Sequence, residues 1–217
     1  MSEAVKDVLR VICESLQIPT IVILILLMAV SVVMLGGIAA EFFTDHRKLK
    51  TSIPELIDIL QGKSAAAMAA SINGAQILRR QKSALIYLIN RTSYPDNTRE
   101  ALARQLIADE EARYRKITKL TDIIARVAPM FGLMGTLIPL GPGLIALGQG
   151  DTKTLSDSLL IAFDTTIAGL VTGAISYVIS GIRKSWYERY MVALETLMET
   201  VLEEQAQERE SDLKEGK

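Results

Sequence analysis

Three apolar runs decide what this chain can fold into. Ile18–Ala40 and Val127–Leu147 contain no charged residue, and Leu159–Ile182 contains only one, Asp164. A helix rises about 1.5 Å per residue, so roughly 20 apolar residues cross about 30 Å of hydrocarbon. Each run meets that length, which predicts an all-α integral membrane protein with three transmembrane helices. The leader Met1–Gln17 is mixed in charge rather than basic, and the first run exceeds the length of a signal-peptide core. It is therefore expected to be a retained span.

Lysine and arginine set the expected orientation. Of the 24 such residues, 15 lie between Glu41 and Arg126 and 6 follow the third run. Only Lys6 and Arg10 precede the first run, and Lys153 alone separates the second from the third. Positive residues stay cytoplasmic. The flanks Arg47, Lys48, Lys50 and Arg183, Lys184 are thus predicted inside a cell membrane, with the N-terminus outside and the C-terminus cytoplasmic. The net charge of −1 conceals this asymmetry, and no nucleic-acid partner is expected.

Composition narrows the chemistry. With one cysteine, Cys13, and one histidine, His46, the chain has no set of nitrogen and sulfur ligands for a metal, and no cofactor is predicted. No nucleophile–base pair is recognisable, so an enzyme is not expected.

Outside the runs the pattern is helical throughout. Residues 1–17 place Val5, Val8, Leu9, Ile12 and Leu16 on one face, as in an amphipathic helix at the outer membrane surface. The segment 41–126 is predicted to be cytoplasmic. In it, Ser52–Glu55 forms a capping box that opens a helix, and Gly62 can close that helix. A further helix is expected from about Gly74 to Asn90. Asn97–Glu100 is a second capping box, and no proline or glycine interrupts the helix it starts before Pro129. The second run, 127–147, should therefore extend into a long cytoplasmic helix. The third run, 159–182, should extend likewise into a tail, 183–217, whose last ten or so residues are expected to fray. Segment 148–158 is expected to be an outer loop.

Two spans carry polar and small residues in a pattern. In the third, Thr165, Gly169, Thr172, Ser176 and Ser180 share one helical face. Gly169 and Gly173 form a GxxxG pair suited to close helix contact. This stripe is either a packing seam or, with Asp164, the lining of a hydrated conduit. A carboxylate in a span costs on the order of 2.5–3.5 kcal/mol on insertion scales, so Asp164 should face protein or water. The second span holds Pro129, Gly132, Gly135, Thr136 and the group Pro139–Gly143, which is expected to bend or break the helix near its outer end.

Two of these segments resemble a family. Pro129-Met130-Phe131-Gly132-Leu133-Met134-Gly135-Thr136 is similar to the second-helix motif of the MotA/TolQ/ExbB proton channel family. Ala162-Phe163-Asp164-Thr165-Thr166-Ile167-Ala168-Gly169-Leu170 is similar to its third-helix motif. The resemblance implies a homo-oligomer, a pentameric ring, around a dimer of a single-span partner of the ExbD, TolR or MotB type. It implies H+ or Na+ flow between ring and partner that drives motility, uptake or envelope maintenance. It places Thr136 and Thr166 toward the pore and the proton-carrying aspartate on the partner, so that Asp164 tunes or carries the ion. Where many ExbB and TolQ members have glutamate, this chain has Ile161, and Pro139 stands where glycine is more usual.

The expected ion-pathway residues are thus Thr136, Asp164, Thr165 and Thr166, and the expected packing residues Gly132, Gly135, Gly169 and Gly173. The reading is an ion-channel subunit of an ion-driven motor complex; its alternative is a non-conducting oligomeric scaffold in the lipid bilayer.

Overall fold

The computed structural model describes residues 3–45 and 53–215. Arg47, Lys48 and Lys50, the N-cap Ser52 and His46 lie outside the described residues. Among the described residues seven helices follow one another: α1 (Glu3–Ser15), α2 (Gln17–Asp45), α3 (Ile53–Leu60), α4 (Ala65–Gly74), α5 (Arg79–Ile89), α6 (Asp96–Gly148) and α7 (Thr152–Glu215). Among the described residues there is no strand. Three helices among the described residues are long and apolar enough to cross a membrane.

The chain divides into two compact units. The first comprises residues 1–39 and 117–183, the second residues 40–116 and 184–217.

The first unit holds the three apolar runs. In α2 the inward positions are Thr20, Leu24, Ser31 and Ile38, while Ile18, Val22, Ile25, Leu26, Val32 and Val33 are exposed. Spacings of four and seven keep these residues on one stripe of the helix, against its neighbours. Ser31 meets Ser176 of α7 across 3.1 Å, and the Thr121 hydroxyl of α6 lies 3.9 Å from the Met34 sulfur. The exposed side of this apolar run suits a lipid-facing helix.

Helices α6 and α7 are joined by three residues, not by the longer loop expected over 148–158. Gly150 takes φ +83°, and the Asp151 amide donates to the Ala146 carbonyl at 2.9 Å. Asp151 then caps α7: its carboxylate accepts from the Thr154 amide at 3.0 Å and from the Thr154 hydroxyl. That cap lets helix begin at Thr152. The hydroxyl, followed by the amide, holds the Asp151 carboxyl below its ordinary range.

The expected break at Pro139–Gly143 does not occur, since α6 is helical through Pro129, Pro139 and Pro142 to Gly148. Contacts with α7 hold the segment in line. A Cβ on Gly135 would lie 2.6 Å from Thr165, and one on Gly143 would lie 3.1 Å from the Ser158 Cβ, a tight contact.

The second unit has its own core. Leu56 and Leu60 of α3, Met68 and Ile72 of α4, and Leu85, Leu88 and Ile89 of α5 pack with Ala103 of α6. Leu194, Leu197, Met198 and Val201 of α7 complete it. Burying each large aliphatic side chain contributes roughly 1.5–3 kcal/mol. The helix expected from about Gly74 to Asn90 begins only at Arg79, as α5; Gly74 ends α4, and between them lies an extended break in which Ala75 has ψ 147° and Leu78 ψ 137°. The break lets Met68 and Ile72 reach the same core as Leu85. Alanine is the strongest helix former, and Ala65–Ala70 lies within α4. The tail, expected to fray, is helical to Glu215, with Lys214 paired to Glu210 at 2.8 Å.

Candidate ion pathway and its helix seam

The seam between α6 and α7 is built from residues without bulk. A Cβ on Gly169 would lie 2.7 Å from the Gly132 Cα and 2.8 Å from the Ala128 carbonyl oxygen. One on Gly173 would meet the Pro129 ring at 2.7 Å, and one on Gly135 would meet Thr165 at 2.6 Å. Gly132 and Gly169 thus face each other's backbone, while Gly135 and Gly173 face the side chains of Thr165 and Pro129. Such approach gives antiparallel helices the van der Waals contact that lipid cannot supply as a hydrophobic force.

The polar stripe of α7 belongs to the same interior. Thr165, Thr172, Ser176 and Ser180 are all buried. Thr165 donates to the carbonyls of Ile161 and Ala162 at 2.9 and 3.0 Å and packs on Gly135. Of the two roles open to this stripe, these contacts are those of a packing seam.

A second column runs beside the seam. On α6, Asp122, Pro129 and Thr136 recur every seven residues; on α7, Thr166, Gly173 and Ser180 do the same. Seven residues make nearly two turns, so each trio forms one stripe. Pro129 packs on Gly173, and the Ser180 hydroxyl donates to an Asp122 carboxylate oxygen. By the same antiparallel register Thr136 falls opposite Thr166. Asp122, Pro129, Thr136 and Thr166 are half-buried, so the column has an open side.

The threonines present oxygen rather than hydrogen to that side. Thr136 donates to the Leu133 carbonyl at 2.6 Å and Thr166 to the Ala162 carbonyl at 3.0 Å. A hydroxyl has one donor and two acceptor sites, so each oxygen keeps acceptor capacity for water or a cation.

Asp164 does not join them. It is exposed on α7 and stands two residues from Thr166, roughly 200° around the helix. Its neighbours on that side, Leu160, Ile167 and Val171, are exposed and apolar. The four expected pathway residues thus separate: Thr136 and Thr166 on the column, Thr165 inside the seam, and Asp164 across the helix.

The two motifs coincide with a known pattern: the model of the MotA/TolQ/ExbB proton channel family matches residues 69–196. The chain belongs to that family. No curated protein matches it in sequence. As a member of a channel family with three apolar helices of spanning length, it is a multi-pass membrane protein. The match covers both columns and just over half of the second unit, so this MotA/TolQ/ExbB member has its family's segment in both structural units.

Asp122 was not among the residues expected at the site, because it precedes the second apolar run. The signal was its spacing: seven residues before Pro129 and fourteen before Thr136. Ser31 was hidden in an apolar run whose buried side periodicity alone does not identify. Among the described residues, no group of three or more His, Cys, Asp or Glu side chains is placed to hold a metal ion.

Proposed function

We propose that this chain is the ion-conducting subunit of an ion-driven membrane motor complex. Copies form a pentameric ring around a dimer of a single-span ExbD-, TolR- or MotB-like partner, and H+ or Na+ passes between ring and partner. The N-terminus is outside, α1 lies at the outer surface, and residues 41–126 and 183–217 are cytoplasmic, so that α6 and α7 continue past the bilayer. The ring resides in the cell membrane and couples ion flow to mechanical work or transport.

The observation that carries this reading is the half-buried column holding Thr136 and Thr166, with hydroxyl oxygens free to accept. A scaffold needs the glycine seam but has no use for acceptor oxygens aligned on a partly open face. Asp164, on the other side of α7, belongs in this arrangement to the wall that meets the next copy. A carboxylate among exposed Leu160, Ile167 and Val171 needs protein or water around it.

Co-reconstitution with the single-span partner in liposomes tests the proposal. Under an imposed proton or sodium gradient the parent complex should conduct. Thr136→Val and Thr166→Val, nearly isosteric, should each lower flux severalfold with the ring intact. A parent complex no leakier than empty liposomes would leave the scaffold reading in its place.

A further inference from the structure

We propose that a groove in the second unit, between the start of α6 and the distal part of α7, receives the outer face of α5 from the next copy of this chain. The inference rests on the proposed ring and gives it a head-to-tail contact outside the apolar runs.

The groove holds about 640 Å³, and its floor is apolar: Ala103 and Ile107 of α6 with Met198 and Leu202 of α7. One wall is a ridge of carboxylates. Glu195, Glu199 and Glu203 recur every four residues of α7, about 6 Å apart along the helix, and all are exposed. Like charges at this spacing destabilise a helix, and residues 191–208 contain no Lys or Arg to offset them. Two arginines also line the groove, but each already has a carboxylate: Arg99 lies 3.5 Å from Asp96, and Arg104 lies 3.3 Å from Glu100. The three glutamates have no cationic partner among the described residues. An apolar floor beside an unneutralised acidic wall fits a surface that carries both rings and cations.

The face of α5 is such a surface. From Ile59 to Pro95 the chain has no Asp or Glu, but it has Lys63, Arg79, Arg80, Lys82 and Arg91. Arg80, Ser83 and Tyr87 lie at spacings of three and four, so they share one stripe of α5, and all are exposed. Just past the helix, the Arg91 guanidinium lies 5.0 Å from the Tyr87 ring centroid and 5.7 Å from that of Tyr94. It also donates to the Tyr87 hydroxyl at 3.4 Å. Among the described residues no carboxylate pairs with Arg79, Arg80 or Arg91. Exposed ion pairs alone hold little, whereas tyrosine and arginine seated in a groove are characteristic of interface cores.

The acceptor of this face is another molecule. Leu85, Leu88 and Ile89, on the other side of α5, are fully buried against Leu194, Leu197 and Met198 of their own chain. The stripe of Arg80 and Tyr87 therefore points away from the α7 segment that carries the glutamates. Groove and face are different patches of one chain, so their contact is head-to-tail, and a head-to-tail contact that closes makes a ring.

The test uses the full chain in detergent, with Cys13→Ser removing the native thiol. Ser83→Cys and Glu199→Cys together, treated with a short bis-maleimide, should give a ladder of linked chains on a denaturing gel. Either substitution alone should give no ladder. Should that pair fail to assemble, Arg80→Cys with Glu203→Cys decides by the same reading. An intact ring by native mass spectrometry without a ladder overturns the inference while the ring stands. A monomer by the same measurement takes down the ring and the inference together. A ladder that is lost when the single-span partner is co-expressed assigns the groove to that partner and overturns the inference as well.

Discussion

Gly169 and Gly132 bring α7 and α6 so close that a methyl group on the first would lie 2.7 Å from the Cα of the second. The obstacle is backbone, which no rotamer change can relieve. Gly169→Ala should therefore force the helices apart or strain them, at about 1–3 kcal/mol as for other overpacked sites. Gly36, where an added methyl group would meet nothing within 4 Å, should accept alanine without loss. Thermal melting of the purified protein in detergent separates the two: equal midpoints would place the seam elsewhere.

In the second unit, Arg99 is fully buried and depends on Gln205. Its guanidinium donates to the Gln205 carbonyl oxygen, and Gln205 in turn donates to the Ile89 carbonyl at 3.2 Å. Asp96, 3.5 Å from Arg99, is shared with Arg209 at 2.9 Å. Burial, then Arg209, lowers the pKa of Arg99. Gln205→Leu would strip the buried cation of its interior acceptor, a loss of about 1.5–3 kcal/mol for a bond to a charged group. Urea unfolding followed by circular dichroism should show an earlier transition, and Arg99→Met with Gln205→Leu should recover part of it.

Tyr114 stacks on Tyr187 with ring centroids 4.3 Å apart and an angle of 22°. Burial, then Glu110 and Tyr187, pushes its phenol up to about 12. A raised pKa means the neutral phenol is favoured by the fold. The stabilisation is complete below the unfolded value near ~10 and is lost as pH rises toward the folded one. A phenolate absorbance titration should therefore contain a late-ionising tyrosine that vanishes in Tyr114→Phe. An unchanged curve would mean that the ring is open to water.

Asp164 offers a prediction against its apparent prominence. Lying roughly 200° around α7 from Thr166, it should not line the same path. Asp164→Asn is expected to leave ion flux within about twofold of the parent, a change under about 0.5 kcal/mol in barrier terms. Its effect should appear instead in the detergent stability of the oligomer. A flux loss equal to that of Thr166→Val would return Asp164 to the pathway.

The sequence by itself determined the helical class, the three spans and the family motifs, because length and hydropathy are local and the bilayer leaves a helix few alternatives. It also contained the seven-residue columns, although nothing local marks Asp122 as belonging with Thr136. Only tertiary structure decided the faces. Adjacent residues on a helix point about 100° apart, so Asp164, Thr165 and Thr166 received three different environments from the way α6 docks on α7. The antiparallel register, fixed where Gly132 meets Gly169 and Pro129 meets Gly173, put Ser180 on Asp122. The same docking turned the stripe of Thr165, Thr172 and Ser176 into interior packing, with α2 seated on it through Ser31. Periodicity names the residues that share a face; which face meets protein depends on partners distant in the chain.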